Sequence, residues 1–281
     1  MRIGNLSGRL ALFTEAGAVD VEKASGGRFG PDPQTVYEVW EEFVGWAGTA
    51  DLSEAVPFER ADLGAPTPAP SQVFAIGLNY VEHAAESHFA VPDTFPPVFT
   101  KFRTSLSGPQ TTVVIPEGGN VDWEVELVAV IGRRADHVAA ADAWSYVAGL
   151  TAGQDISERI VQLSGPAPQF SLGKSFPGFA PTGPWVVTVD EFDNPDDLEL
   201  TCAVDGETMQ RGRTRDFVFS VSKLIEGLSR VTPLLPGDII FCGTPAGVGV
   251  GHNPQRFLRP GEELVSHVEG IGELRQKFVS A

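Results

Sequence analysis

The chain has 281 residues, and 37 Asp+Glu against 20 Lys+Arg give a formal charge of −17. That sign argues against nucleic acid and anionic membrane surfaces, which Lys and Arg would have to hold, and a hydrophobic content of 42% is too high for a disordered chain. It also poses a question: an anionic substrate would need a local feature strong enough to overcome a repulsive global field.

In chain order, residues 1–65 read as a small domain. Arg9–Phe13 and Ala18–Val21 have the texture of short strands, and Val36, Val39, Trp40 and Phe43 recur at helical spacing over Thr35–Trp46. Residues 66–70 hold three prolines in five positions, an extended linker. From 71 to 281 the texture is mostly β. Candidate strands are Val73–Ile76, Val98–Lys101, Thr112–Ile115, Glu124–Ile131, Trp185–Thr188, Leu198–Val204, Ile239–Phe241 and Glu263–Val268. Helical spacing appears in Asn79–Ser87, Ala140–Trp144, Ser157–Gln162 and Val218–Arg230. With 31 Gly and 22 Pro the loops must be many and tight, so the class expected is α+β and β-rich. No run reaches the ~20 apolar residues of a membrane span. The N-terminus lacks the apolar segment of a signal peptide. Cys202 and Cys242 make no metal spacing, so a reduced, cytoplasmic setting is expected.

Two glycine-rich segments are not nucleotide loops. Gly173-Lys174-Ser175 resembles the end of a P-loop, but Pro168 stands where its first glycine belongs. Gly247-Val248-Gly249-Val250-Gly251 has the wrong spacing for a dinucleotide turn and is followed by His252-Asn253-Pro254.

The sharpest local feature is Asp122-Trp123-Glu124-Val125-Glu126 leading into Leu127–Ile131, an apolar run that suits a strand buried on both faces. Glu124 and Glu126 are two apart and so share a face. Two carboxylates held together in a buried strand repel and are poorly solvated, which a divalent cation resolves. All-oxygen ligation points to Mg²⁺, Mn²⁺ or Ca²⁺; the alternative is a strand end whose acids face water. Asp155 is a candidate third ligand, although alone it suits a helix cap. Arg159 and Gln162 follow at spacings that share a helical face with Asp155, and Arg159 could face a carboxylate or simply pair at the surface.

His83 and Glu86 are i,i+3 on a helical turn. A carboxylate raises the basicity of an imidazole, which suits a water-activating base, although such pairs are also common on solvated faces. Lys174, one of five lysines, lies between Phe170 and Phe176. It could pair with the carboxylates or stabilise an enolate, or snorkel to the surface. The segment Gly237–Gly249 reads as a strand entering a glycine loop. Its N–H groups and the Thr244 hydroxyl could bind an anion, or form an ordinary tight turn.

Together the segments GLNYVEHAAE, FTKFRTSLSGP, DWEVELVAVIG, QDISERIVQ, SLGKSF, LLPGDIIFCGTPAGVG and VEGIGEL, in that order, resemble the fumarylacetoacetate hydrolase family from Ser71 to the end. The resemblance implies a mixed β-roll, a small N-terminal domain and a homodimer, of the bacterial acylpyruvase or 2-hydroxyhepta-2,4-diene-1,7-dioate isomerase-like kind. It implies Glu124, Glu126 and Asp155 as ligands of Mg²⁺ or Mn²⁺, with His83, Glu86 and Lys174 as the catalytic residues. Arg159, Gln162, Thr244, Lys101 and Arg103 are the implied substrate contacts, and Ala84 to Pro96 a lid. Gln154 stands where asparagine is commoner in the family, and Phe102-Arg103 where a proline after the lysine is frequent. Arg103 and His88 are therefore expected to shape a different pocket.

The expected reaction is hydrolysis of a carbon–carbon bond in a 2,4-dioxo acid of the acylpyruvate or fumarylpyruvate type, as met in aromatic catabolism. The metal would chelate the carboxylate and 2-oxo group, His83 and Glu86 would activate water, and Lys174 would help stabilise the enolate. Oxaloacetate decarboxylation, and hydration or isomerisation of unsaturated 2-oxo diacids, share this chemistry. A non-enzymatic metal-binding protein would need the ligands but gives no reason for His83, Glu86 and Lys174.

Overall fold

The computed structural model describes residues 1–86 and 90–281. Its main strands are β1 (Arg2–Leu6), β2 (Arg9–Thr14), β3 (Gly17–Asp20), β4 (Val73–Ile76), β5 (Val98–Thr100), β6 (Gln110–Ile115) and β7 (Val125–Ile131). They continue as β8 (Val147–Gln154), β9 (Ala180–Val187), β10 (Glu199–Val204), β11 (Glu207–Arg213), β12 (Ile239–Phe241), β13 (Glu263–Val268) and β14 (Gly272–Ser280). Helices include α1 (Trp40–Ala47), α2 (Val81–Glu86), α3 (Arg159–Gln162), α4 (Phe170–Gly173) and α5 (Val221–Ser229). None of the described helices is long and apolar enough to cross a membrane.

Two sheets pack face to face. The larger, of eleven strands, runs β3-β2-β1-β9-β8-β7-β12-β4-β5, with Leu63–Gly64 added on β1 and Leu106–Ser107 on β9; the smaller runs β11-β10-β13-β14-β6. Strand β7 explains why. Leu127, Ala129 and Ile131 pack with Cys202, Leu264 and Phe278 of the small sheet. Val128 and Val130 point the other way, onto Ile3, Leu10, Tyr37, Trp40 and Phe43 of the N-terminal segment. A strand covered on both faces must be apolar throughout, and every residue of β7 is buried. The N-terminal strands join the same sheet, β1 pairing antiparallel with β9 through Arg2↔Val187, so the large sheet runs across the proline-rich segment.

Four of the labelled strands lie outside those expected, β1, β8, β11 and β14, and so do four two-residue strands, Leu63–Gly64, Leu106–Ser107, Val121–Asp122 and Ser157–Glu158. Three expected helices differ. Thr35–Trp46 divides into a 3-10 turn, Thr35–Val39, and α1. Ala140–Tyr146 is a 3-10 helix. Ser157–Gln162 divides into a two-residue strand, Ser157–Glu158, paired with Val121–Asp122, and the single turn α3. The cap of α3 is Glu158, whose carboxylate accepts from the Ile160 and Val161 N–H groups. Asp155 is therefore neither a helix cap nor on the face that carries Arg159 and Gln162. It sits in the corner between β8 and Ser157, where its carboxylate is free to face the site.

Candidate metal centre and active site

The β7 ladder starts only at Val125, and Trp123-Glu124 lies between the short strand Val121–Asp122 and β7. A break in a buried strand leaves backbone N–H groups that must find acceptors. Two glutamines supply them. Gln154 Oε1 of β8 accepts from Glu124 N at 2.8 Å, and Gln210 Oε1 of β11 accepts from Val125 N at 3.0 Å. Gln154 also donates to Ser266 Oγ at 2.7 Å, and Gln210 to Thr244 Oγ1 at 2.8 Å. Asp155 N donates to the Glu124 carbonyl at 2.9 Å, which ties the two acidic segments together.

The outcome is a buried triad. Glu124, Glu126 and Asp155 each present a carboxylate oxygen, and the three lie within 4.8 Å of one another. Lys174 Nζ donates to Glu124 Oε2 and Asp155 Oδ2, both at 2.7 Å. Lys101 Nζ donates to Asp155 Oδ1 at 2.5 Å and to the Lys174 carbonyl. Arg159 Nη1 lies 2.8 Å from Glu124 Oε1. Glu126 Oε2 accepts from Gly243 N at 2.6 Å. Glu124 and Glu126 do not titrate alike. Burial raises Glu126 well above the usual carboxylate range, and Asp155 and Glu124 push it the same way. Burial also acts on Glu124, but Lys174 and Arg159 outweigh it and hold its carboxyl low. Burial pulls Lys101 down, whereas for Lys174 the same penalty is outweighed by Asp155 and Glu124, so its ammonium is held up.

Asp122 is a second junction. It accepts from Arg159 Nε at 2.8 Å, Trp123 N at 2.8 Å, Gly249 N at 2.6 Å and Val250 N at 2.9 Å. The glycine loop is thus read by protein carboxylates: Gly243 N–H by Glu126, Gly247 N–H by Glu86 Oε2 at 2.9 Å, and Gly249 N–H by Asp122. An anion nest for substrate is not what these three donors form. Glycine is needed at all three positions. Gly243 has φ +105° and a Cβ there would stand 2.6 Å from Asn79 Cβ. Gly247 has φ +104° and a Cβ there would stand 2.1 Å from the Met209 carbonyl; at Gly249 a Cβ would meet the Arg256 carbonyl.

His83 and Glu86 project from α2. Nδ1 and Oε1 are 2.9 Å apart, so Nδ1 is assigned the proton and Nε2 remains basic. The pair shares one cavity of about 170 Å³ with Glu124 of the triad, and its polar wall includes His83, Glu86, Glu124, Arg159, Gln162 and Lys174; Glu126 and Asp155 are buried beside Glu124 and do not line it. The rest is largely apolar: Leu78, Phe99, Leu163, Phe170 and Val250.

Most of the residues expected from the sequence therefore meet at one place, with Gln162 Oε1 accepting from Arg159 Nη1 at 3.0 Å. Lys101 is buried behind Asp155. Two stand apart. Thr244 is buried and its hydroxyl is bonded to Gln210, away from the cavity wall. Arg103 is exposed in a separate groove beside β5. His88 lies outside the described residues, as does part of the expected lid. Two site residues carry no signal of their role in the sequence: Asp122, although it stands in the acidic motif, and Gln210, whose strand carries little apolar signal; Gln154 is marked there only as a departure.

The triad fits a hard divalent cation. Three carboxylate oxygens converge, and with every group ionised, as metal ligation requires, four acids (Asp122, Glu124, Glu126, Asp155) against Lys101, Lys174 and Arg159 leave a formal charge of −1, which one such ion would turn to +1. An oxygen-only set favours Mg²⁺, Mn²⁺ or Ca²⁺ over zinc.

Comparison with known proteins agrees with this geometry. Residues 72–279 match the fumarylacetoacetate (FAA) hydrolase C-terminal family. The mitochondrial oxaloacetate tautomerase FAHD2A of Bos taurus is 41% identical over 258 residues, 88% of this chain and 80% of that protein. The crystal structure of an HpcE-type protein from Mycobacterium smegmatis has a TM-score of 0.96 at 54% identity, covering 100% of both chains. Maleylpyruvate hydrolase from Sphingobium sp. SYK-6, in complex with manganese(II) and pyruvate, has a TM-score of 0.78 at 26% identity over 100% of both chains. The chain belongs to the fumarylacetoacetate hydrolase family.

Proposed function

We propose that this enzyme moves a proton at the carbon next to the oxo group of a small 2-oxo acid, as a tautomerase or isomerase of the oxaloacetate class. The observation that carries this reading is the His83–Glu86 pair facing the same cavity as Glu124, which belongs to the Glu124–Glu126–Asp155 triad. Similarity to the oxaloacetate tautomerase over most of both chains supports the branch.

A divalent cation held by the triad would withdraw electron density from the oxo-carboxylate and so acidify the neighbouring C–H. His83 Nε2 accepts that proton and returns it, to oxygen or to carbon. Glu86 Oε1 holds the charged imidazole through Nδ1–H, and Gly247 N–H fixes Glu86 through Oε2. Lys174 and Arg159 add positive charge beside the substrate carboxylate. The apolar wall of Leu78, Phe99 and Phe170 excludes bulk water.

A second reading is carbon–carbon hydrolysis of a 2,4-dioxo acid. It is favoured by the same His83–Glu86 pair, which can take a proton from water instead, and by the maleylpyruvate hydrolase among the similar structures. Enol-oxaloacetate, oxaloacetate and a series of acylpyruvates, each offered to Mg²⁺- and Mn²⁺-loaded protein with product identification, separate the readings. Faster ketonisation without bond cleavage supports the first. Release of pyruvate plus a carboxylic acid supports the second, and decarboxylation of oxaloacetate as the dominant reaction would displace both. We also propose a homodimer, which the exposed apolar side chains of Ile160, Leu163 and Leu172 support.

A further inference from the structure

Backbone strain and the cavity coincide at one residue. Among the described residues, four that are not glycine have left-handed backbones: Ser7, Leu78, His137 and Asp205. Ser7, His137 and Asp205 are polar and exposed, and Ser7 and Asp205 each precede a glycine in a hairpin turn. Leu78, at φ +58°, is bulky and apolar, so the conformation is costly. Fifteen glycines in the chain sit at positive φ, yet here the chain uses leucine. Of the four, Leu78 is the one that lines the cavity.

Its neighbours dictate the turn. Ile76 is paired with Val98 across β4 and β5, and Gly77 N donates to the Pro97 carbonyl at 2.9 Å. On the other side, buried Asn79 donates to the carbonyls of Cys242 at 2.7 Å and Phe219 at 3.0 Å, and accepts from Phe219 N at 2.8 Å. With residues 76–77 and 79 both fixed, Leu78 must absorb the change of direction. Glycine would do so without strain. What leucine adds is an isobutyl group on the cavity wall.

We propose that Leu78 is a specificity-determining residue, its side chain bearing on the part of a bound 2-oxo acid remote from the oxo-carboxylate and excluding longer chains there. Glu124, Lys174 and Arg159 make the polar wall that takes the charged end, which leaves Leu78, Phe99 and Phe170 for the remainder. The proposal rests on the reading of the substrate as a 2-oxo acid.

Leu78→Ala and Leu78→Gly separate side chain from backbone, because both remove the isobutyl group and only glycine relieves the left-handed strain. Mn²⁺-loaded wild type and both variants are titrated calorimetrically with pyruvate, 2-oxobutyrate and 2-oxohexanoate, and unfolded in urea. Both variants should shift the ratio of affinities toward the longest acid by about tenfold, the scale of a methylene or two in an apolar pocket. Leu78→Gly should also show an unfolding constant about fivefold smaller than Leu78→Ala. An unchanged chain-length preference, with the acids still bound, overturns the proposal alone. Equal stability of the two variants overturns the strained backbone on which it stands. If no 2-oxo acid binds the wild type, the functional reading falls, and the proposal with it.

Discussion

Asp122 joins Arg159, the backbone of the acidic motif and the glycine loop, and its replacement by asparagine should be severe. Oδ1 serves Trp123 N and Gly249 N, while Oδ2 serves Arg159 Nε and Val250 N. All four partners are donors. An asparagine keeps one oxygen and turns an NH₂ toward two N–H groups whichever way it flips. It also leaves Arg159, 8% exposed, with Glu124 as its one remaining ion pair. Breaking a buried pair on one side costs about 3–5 kcal/mol, and each orphaned buried donor about 1–3 kcal/mol. These effects overlap, so about 3–5 kcal/mol is the expected loss. Urea unfolding of the metal-loaded protein measures it. The control is Glu42→Gln, which breaks a pair with Arg28 that is half exposed on both sides and should cost under about 1 kcal/mol. If Asp122→Asn also costs less than about 1 kcal/mol, Asp122 is not the junction described here.

Further expectations follow from the same centre. Burial and two neighbouring carboxylates favour the protonated form of Glu126, whereas a metal ligand must be ionised, so metal binding should release protons. Affinity for Mn²⁺ should therefore rise with pH, and calorimetry in buffers of different ionisation enthalpy should show proton release; none would contradict the assignment. The sign for stability is the opposite: an acid whose folded pKa is raised stabilises fully below the usual carboxylate range, and that contribution is lost as pH rises through the raised value. The melting temperature of chelator-treated protein should fall over that interval, and Glu126→Gln should flatten the fall. His83→Ala should lower kcat by about 10²–10⁴-fold while leaving Mn²⁺ affinity within a few-fold; a loss of metal binding instead would make His83 structural. Lys174→Met leaves Glu124 and Asp155 with less compensating charge, so chelator-treated protein should lose about 3–5 kcal/mol, with Mn²⁺ restoring more stability to the variant than to wild type.

The parts legible in the sequence were those whose chemistry is local. β7 announces itself because a strand covered on both faces must be apolar throughout, and Glu124 and Glu126 stand out against it. The i,i+3 spacing of His83 and Glu86 is enough to place them together. Strand β8 was hidden although it is central, since close packing there requires small residues that carry no strand signal: a Cβ on Gly149 would stand 2.3 Å from the Val187 carbonyl, and one on Gly153 would stand 2.5 Å from Val128 Cγ2. Without that strand signal, Asp155 reads as part of a helix; in the structure β8 ends at Gln154 and delivers Asp155 to the triad. Gln154 and Gln210 contribute through partners 30 and 85 residues away, and no local pattern encodes such a separation. The glycine loop was recognised, but not that Glu86, Asp122 and Glu126 would occupy its donors.

The charge of −17 and the proposal of an anionic substrate are reconciled at the triad, where a divalent cation would reverse the sign of a centre whose formal charge is otherwise −1. Calorimetric titration of pyruvate into chelator-treated protein, and into the same protein reloaded with Mn²⁺, tests this directly. Binding confined to the reloaded protein, and lost again in Glu126→Gln, is the predicted result. Equal affinity with and without the metal would contradict it.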